Sequence, residues 1–130
     1  MSYRWISKRA VLSIHNQQLA QHGGLEGLRD EGLLDSALAR PKNLEAYQNA
    51  SLAQCAAAYS FGITRNHPFN DGNKRTGFVT AITFLLLNDC YIKASESDVV
   101  FTITRLAEGN LSEESLVEWI GENIVPFKPK

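Results

Sequence analysis

The segment Phe78–Leu87 most constrains the fold, because a helix drawn through it is apolar nearly all round. Such a helix must be covered on every side by the rest of the chain. The run contains two threonines and is far shorter than the about 20 apolar residues that cross a membrane. We therefore predict a central buried helix, and we expect it not to tolerate a charge, for example in Leu86→Asp.

The rest of the chain is long enough to cover that helix but too short for a second ordinary domain. It has 130 residues, 44% of them hydrophobic, and no repeat or linker divides it, so we predict one domain spanning residues 1–130. The net charge of −1 argues against broad capture of nucleic acid or of an anionic membrane. The N-terminus lacks the apolar core of a signal peptide, and Cys55 and Cys90 have no CxxC spacing. We expect a cytoplasmic protein with two buried, reduced thiols.

Helical periodicity and capping residues predict an all-α bundle of about six helices. The predicted segments are about Ser7–Gln21, Asp30–Arg40, Ser51–Arg65, Asn73–Asn88, Ser95–Ala107 and a last helix capped by Ser112. Gly23-Gly24 and Pro41 are expected to end the first two helices, which makes residues 42–50 a loop. The β-branched and aromatic residues of 99–103 leave a strand open as the alternative there. We find no convincing hairpin.

The segment His67–Arg75 concentrates groups that bind anions. It contains a break followed by the start of the apolar helix, and the first amides of a helix are unpaired donors at the positive end of the helix dipole. Gly72 allows close approach to the backbone, while Lys74 and Arg75 add positive charge. This combination predicts an anion site, and phosphate fits it best.

Two further side chains would complete a site for phosphoryl or nucleotidyl transfer. Asp71 offers a hard oxygen ligand for a magnesium ion shared with phosphates and water. His67 is of the residue type suited to take a proton from a hydroxyl near neutral pH. Each residue also has an ordinary interpretation, since Asp71-Gly72-Asn73 is a common turn and helix-start sequence and cationic side chains are commonly only solvated.

The stretch HPFNDGNKR, His67–Arg75, resembles the signature HxFx(D/E)GN(G/K)R of the Fic/Doc superfamily. The segments Gly23–Pro41 and Leu111–Ile120 are similar to the Doc (death-on-curing) branch, so the resemblance covers nearly the whole chain. It implies the helical Fic/Doc fold. It also implies that His67 is the general base toward a target Ser or Thr hydroxyl, and that Asp71 holds Mg²⁺.

The resemblance also implies how a nucleotide would be held. The nucleotide phosphates would contact the start of the helix through Gly72, Asn73, Lys74 and Arg75. The resemblance further implies that Arg65 touches the nucleotide and that Phe69 is a buried anchor of the loop.

Two positions favour the Doc branch over the Fic adenylyltransferases. Lys74 stands where most adenylyltransferases have glycine, and Phe78 stands where they have a second arginine. The resemblance to Doc implies a toxin that transfers the γ-phosphate of ATP to a hydroxyl of an elongation factor Tu-like translation factor, which halts translation. The alternatives are Fic-type transfer of AMP to a protein hydroxyl and an inactive nucleotide- or antitoxin-binding domain.

Regulation is expected to involve a second chain. Doc toxins are held by a small antitoxin whose disordered tail folds as a helix in a groove, so the resemblance implies such a partner. Thr104, Glu108 and Gly109 fit an inhibitory pattern of another branch, (S/T)xxxE(G/N), but a pattern this loose is common by chance. If it were functional, Glu108 would pair with Arg75 or another phosphate-binding residue.

Three other features have mainly structural interpretations. The segment Lys42–Ala50, with Tyr47, is predicted to be a plain connecting loop, with a target-docking flap as the alternative. His15 and His22 are seven residues apart on the first helix. Without partners at metal-ligand spacing, we expect them to be surface or core residues rather than zinc ligands.

Overall fold

The computed structural model describes residues 3–127, which form six helices and one short antiparallel sheet. The elements are α1 (Lys8–His22), α2 (Glu31–Gln48), α3 (Leu52–Asn66), α4 (Asn73–Leu87), β1 (Cys90–Ile92), α5 (Glu96–Ala107), α6 (Glu113–Asn123) and β2 (Ile124–Pro126). The predicted all-α class is confirmed. No helix in the described range is long and apolar enough to cross a membrane.

Most helices begin at the residues that the sequence predicted. Five of them start behind a side chain that accepts a hydrogen bond from a backbone N–H of the first turn, namely Ser7, Asp30, Ser51, Ser95 and Ser112. Residues 99–103 lie within α5, which Ser95 caps, so the strand considered for them is not formed. The start of α4 differs, because it follows Gly72 and has no side-chain cap.

The prediction that α2 ends at Pro41, with a loop over residues 42–50, is wrong. The helix continues to Gln48, although a proline inside a helix removes one hydrogen bond and costs on the order of 3 kcal/mol. Here Pro41 is fully buried, and its carbonyl accepts a hydrogen bond from the Cys55 thiol of α3 at 3.7 Å. Packing against α3 therefore offsets the loss. Tyr47 lies in the last turn of the helix rather than on a loop.

The predicted central buried helix is present, but it is α3 rather than α4. α3 contacts α2, α4, α5 and α6, and every residue from Cys55 to Ser60 is buried. On α4, Phe84 and Leu85 are fully buried, whereas Leu86 is 42% exposed. The expectation that Leu86 tolerates no charge is therefore wrong, because α4 is covered mainly on the side that faces α3 and α1.

Small residues allow α3 to be packed on several sides. A Cβ added at Gly77 of α4 would lie 2.9 Å from Thr64 Oγ1 and 3.0 Å from the Ser60 carbonyl oxygen. A Cβ added at Gly62 of α3 would lie 3.2 Å from the Cβ of Ala37 on α2. Real Cβ atoms essentially never approach as closely as the one added at Gly77 would, so glycine is required where α4 crosses α3. The contact at Gly62 would be tight, and Ala37 would have to shift by a few tenths of an ångström to accept it.

The two strands are an element that the sequence did not predict. β1 and β2 pair antiparallel, with Tyr91 opposite Val125, and α5 and α6 lie between them in the chain. A hairpin is recognised by the turn that joins its strands. No such turn exists here, so the local sequence carries no signal of the pairing.

Adjacent leucines on α4 give a matched test of its burial. We expect Leu85→Asp to lower the free energy of unfolding by more than about 3 kcal/mol or to prevent folding, because it buries an unpaired charge. Leu86→Asp should cost no more than about 1 kcal/mol, because the new carboxylate reaches water. Thermal and urea unfolding followed by circular dichroism would measure both. Equal destabilisation by the two changes would contradict this placement of α4.

The two thiols should differ in reactivity. Burial raises the pKa of the Cys55 thiol to about 11, so less of it is thiolate at pH 8 than for an ordinary cysteine. Cys90, predicted to be buried, is only half-buried, although burial and the Asp89 carboxylate also raise its pKa. We expect a maleimide to label Cys90 in the folded protein and Cys55 only after denaturation, as read by mass spectrometry. Rapid labelling of folded Cys90→Ser would show that Cys55 is accessible.

Candidate functional site

The predicted break between α3 and α4 is a loop held by a second loop. The signature loop (residues His67–Gly72) lies against the bracing loop (residues Gly23–Asp30), which joins α1 to α2. Leu28 and Phe69 form an isolated antiparallel bridge between them. The Pro68 carbonyl oxygen accepts hydrogen bonds from two backbone N–H groups of the bracing loop, at 2.6 and 2.9 Å. The sequence assigned the bracing loop no part in the site, yet it supports the signature loop as a neighbouring strand would.

Asn73 holds the signature loop from the side of α4. Its Oδ1 accepts a hydrogen bond from the Phe69 N–H at 2.9 Å, and its Nδ2 donates to the Phe69 carbonyl oxygen at 3.0 Å. The Phe69 side chain is only 1% exposed, which confirms it as the buried anchor. The Asn73 side chain thus fixes the shape of the loop. The backbone N–H of Asn73 is not used in these bonds and lies at the start of α4.

Asp71 lies where the two loops meet. Its Oδ2 accepts a hydrogen bond from the Leu25 N–H at 3.0 Å. A Cβ added at Gly24 would lie 3.1 Å from the same oxygen, so glycine makes room for the carboxylate. Within residues 3–127, Asp71 forms no salt bridge, and no group of three or more His, Cys, Asp and Glu side chains is arranged to hold a metal ion.

His67 ends α3 in the left-handed conformation, with φ 54° and ψ 54°. For a residue other than glycine this conformation costs about 1–3 kcal/mol. Arg29 of the bracing loop stabilises it, since its Nε donates to the His67 carbonyl oxygen at 2.7 Å and its Nη2 donates to that of Asn66 at 3.1 Å. These carbonyls lie at the negative end of α3, where a cation is favoured. The imidazole itself remains exposed.

The signature loop and the start of α4 line a cavity of about 220 Å³. Its lining residues are Thr64, His67, Asp71, Gly72, Asn73, Lys74, Arg75 and Ala107. Six of the seven predicted site residues therefore come together. The exception is Arg65, whose guanidinium lies over the Phe61 ring and near Gly109 after α5.

The residues that line the cavity carry donors that have no partner within residues 3–127. The Thr76 N–H donates to the Gly72 carbonyl at 2.9 Å, which is the first hydrogen bond of α4. No side chain caps the N–H groups of residues 73–75, which come before it. The Thr64 Oγ1 and Arg75 Nε atoms are buried without a hydrogen bond. Unpaired donors next to Lys74 and Arg75 favour an anion. Thr64 is a site residue that the sequence did not reveal, because only the helix crossing brings it to the cavity.

Three further residues that the sequence singled out lie outside the cavity lining, namely Glu108, His15 and His22. Glu108 ends α5 with an exposed side chain, and its only side-chain hydrogen bond within residues 3–127 is a 3.5 Å contact with Asn110, so the pairing with Arg75 is not formed. His15 is a core residue, as expected, but its Nε2 lies 2.9 Å from the Asp71 carbonyl oxygen. It therefore reaches the signature loop, whereas His22 is exposed.

Comparison with known proteins agrees with the resemblance in the signature. A profile described as the Fic/DOC family matches residues 5–85, which include the bracing loop and the signature loop. The chain is 30% identical over 116 residues to the "Protein kinase doc" of Escherichia phage P1, an alignment that covers 88% of this chain and 91% of that protein. It is 43% identical over 76 residues to the "Toxin Doc" of Mycolicibacterium smegmatis, covering 55% of this chain and 57% of that protein. The chain therefore belongs to the Fic/DOC family, and Doc proteins are among its relatives there.

Proposed function

We propose that this protein is a Doc-like toxin kinase that transfers the γ-phosphate of ATP to a Ser or Thr hydroxyl of an elongation factor Tu-like translation factor. The observation that carries the proposal is the uncapped start of α4, which shares one cavity with a proton acceptor and two cationic side chains. The relatives named as a kinase and as a toxin support the same assignment.

The phosphates of ATP would occupy the cavity at the start of α4. The backbone N–H groups of residues 73–75, the Thr64 hydroxyl and the Arg75 guanidinium would donate to phosphate oxygens, and Lys74 would add a point charge. The cavity is smaller than the about 300–1,000 Å³ of sites that enclose drug-sized ligands. It therefore suits a chain of phosphates, and we expect Arg65 to contact a part of the nucleotide that lies outside it.

A magnesium ion fits beside these groups. Magnesium in proteins is commonly bound by one or two carboxylates together with phosphate oxygens and water, and Asp71 supplies one carboxylate in the cavity lined by the cationic groups. Bound there, the ion would neutralise part of the charge on the phosphates and help orient them.

The exposed imidazole of His67 would act on the incoming hydroxyl. It takes the proton as the hydroxyl oxygen forms a bond to the γ-phosphorus, and the bond from that phosphorus to the bridging oxygen of ADP breaks. ADP leaves with the electron pair of that bond. The left-handed backbone of His67, held by Arg29, places the base at the edge of the cavity rather than in the helix.

The proposal includes a separate antitoxin chain and action in the cytoplasm. A kinase that stops translation must be restrained until it is needed, and the relative named as a toxin supports this context. In the structure Glu108 makes no ion pair with Arg75, so the described residues supply no inhibitory contact of the kind considered for α5.

ATP labelled at one phosphate at a time separates the proposed kinase from its alternatives. Purified protein, elongation factor Tu, magnesium and ATP labelled on either the α- or the γ-phosphate would be incubated, and the factor analysed by mass spectrometry and autoradiography. We expect label from the γ-phosphate only. Label from the α-phosphate would contradict the kinase and identify an adenylyltransferase. No label from either position, with nucleotide still bound, would indicate an inactive binding domain.

His67→Ala tests the assignment of the base. We expect the rate of transfer to fall by about 10²–10⁴, the usual contribution of a general base, and growth arrest in expressing cells to be lost. The melting temperature should stay within about 2 °C, because the side chain is exposed. His22→Ala is the matched control, since that histidine is exposed on α1 away from the cavity. If cells expressing His67→Ala still stop growing, His67 is not the base.

A further inference from the structure

His15 makes contacts that packing alone does not require. It is 3% exposed, and its ring stacks on Phe69 with centroids 3.7 Å apart and planes 9° apart. Its Nε2 lies 2.9 Å from the Asp71 carbonyl oxygen. Because a carbonyl oxygen can only accept, the hydrogen bond requires a proton on Nε2. A phenylalanine would fill a similar volume and stack equally well, but it would leave this carbonyl without the bond.

The hydrogen bond determines the orientation of one peptide group. In a planar trans peptide, the Asp71 carbonyl and the Gly72 N–H point in opposite directions. Since the carbonyl points to α1, the Gly72 N–H points away from α1. Gly72 lines the cavity and no residue of α1 does, which is the arrangement expected if this N–H faces the cavity.

The other restraints on the signature loop act elsewhere. The bridge to Leu28, the hydrogen bonds to Pro68 and the Asn73 side chain hold residues 68–70. The Leu25 N–H holds the Asp71 side chain, so within residues 3–127 none of these contacts bonds the peptide group between Asp71 and Gly72. Gly72 has φ 76° and ψ 16° and is followed by helical residues, a combination in which consecutive N–H groups form an anion-binding concavity. Only a fixed Asp71–Gly72 peptide keeps the first of these N–H groups in that concavity.

We propose that His15 is a positioning residue for the phosphate site: its Nε2–H holds the Asp71 carbonyl and so aims the Gly72 N–H at the phosphates. The inference rests on the proposed function in that the cavity takes a phosphate chain. His15 does not line the cavity. It acts through the peptide bond between Asp71 and Gly72, as a group behind a metal or phosphate site orients the groups that bind directly.

Three variants separate the hydrogen bond from the packing. His15→Phe keeps the stacked ring and removes the donor, His15→Gln restores an N–H donor without the ring, and His22→Phe is the control on the same helix. The probe is inorganic pyrophosphate with magnesium, measured by calorimetry, because it needs neither the nucleoside nor any transfer. The Gly72 amide resonance of the ligand-free protein, read by ¹H–¹⁵N spectroscopy, reports the peptide directly.

We expect His15→Phe to weaken pyrophosphate binding about 10- to 100-fold and to shift the Gly72 resonance, with a melting temperature close to that of the wild type. His15→Gln should recover most of the affinity, and His22→Phe should change neither readout. In the wild type, the long-range ¹H–¹⁵N spectrum of the His15 ring should show a protonated Nε2. An Nε2 without a proton would overturn the proposal, even if His15→Phe failed to fold.

The remaining outcomes distinguish this proposal from the kinase proposal. Unchanged pyrophosphate binding by His15→Phe, or no recovery by His15→Gln, would overturn the role of His15 even if the wild type transfers the γ-phosphate. Binding that depends on His15 in a protein that transfers nothing would support His15 and contradict the kinase. A wild type that binds no pyrophosphate would contradict both.

Discussion

The close packing of α4 against α3 positions every group of the site. Gly77 allows the α4 backbone to lie against Ser60 and Thr64 of α3, and only the short signature loop joins the two helices. The crossing therefore brings the negative end of α3 next to the positive end of α4. Arg29 donates hydrogen bonds to carbonyls at the negative end of α3. The N–H groups at the positive end of α4 have no partner in the described residues, and an anion would supply the missing acceptors.

The signature loop, which precedes α4, is restrained so that the unpaired N–H groups at the start of α4 keep their orientation. Glycine in place of a serine or aspartate N-cap costs roughly a few tenths of a kcal/mol, and the left-handed His67 adds a further cost. The bracing loop, the Asn73 side chain and the His15 ring hold the loop from three directions, which keeps the donors in place before any ligand arrives. Donors that are already oriented need no reorganisation during a reaction. They can therefore stabilise the charge on the phosphates in the transition state, which is the main source of catalysis in phosphoryl transfer.

Much of the fold and most of the site could be predicted from local signals. Caps at Asp30, Ser95 and Ser112 located the starts of three helices, and helical periodicity located those near Ser7 and Ser51. Six of the seven proposed site residues are neighbours in the sequence, so they also meet in space. The errors share one cause. α2 continues through Pro41 because the proline is buried against α3, and Leu86 is exposed because no element within residues 3–127 covers that face of α4. β1 and β2 pair although two helices separate them. Each of these outcomes depends on residues distant in the chain.

The sequence by itself determined the helical class, the order of the helices and the chemistry of the signature, because capping, periodicity and motif are properties of adjacent residues. Only the tertiary structure decided which helix is central and that Thr64 and Ala107 complete the cavity. It also placed Arg65 outside that cavity. The same holds for His15, which the sequence predicted only to be a surface or core residue and not a zinc ligand. Its contact with the Asp71 carbonyl arises only when α1 packs behind the loop, since 56 residues separate the two groups along the chain.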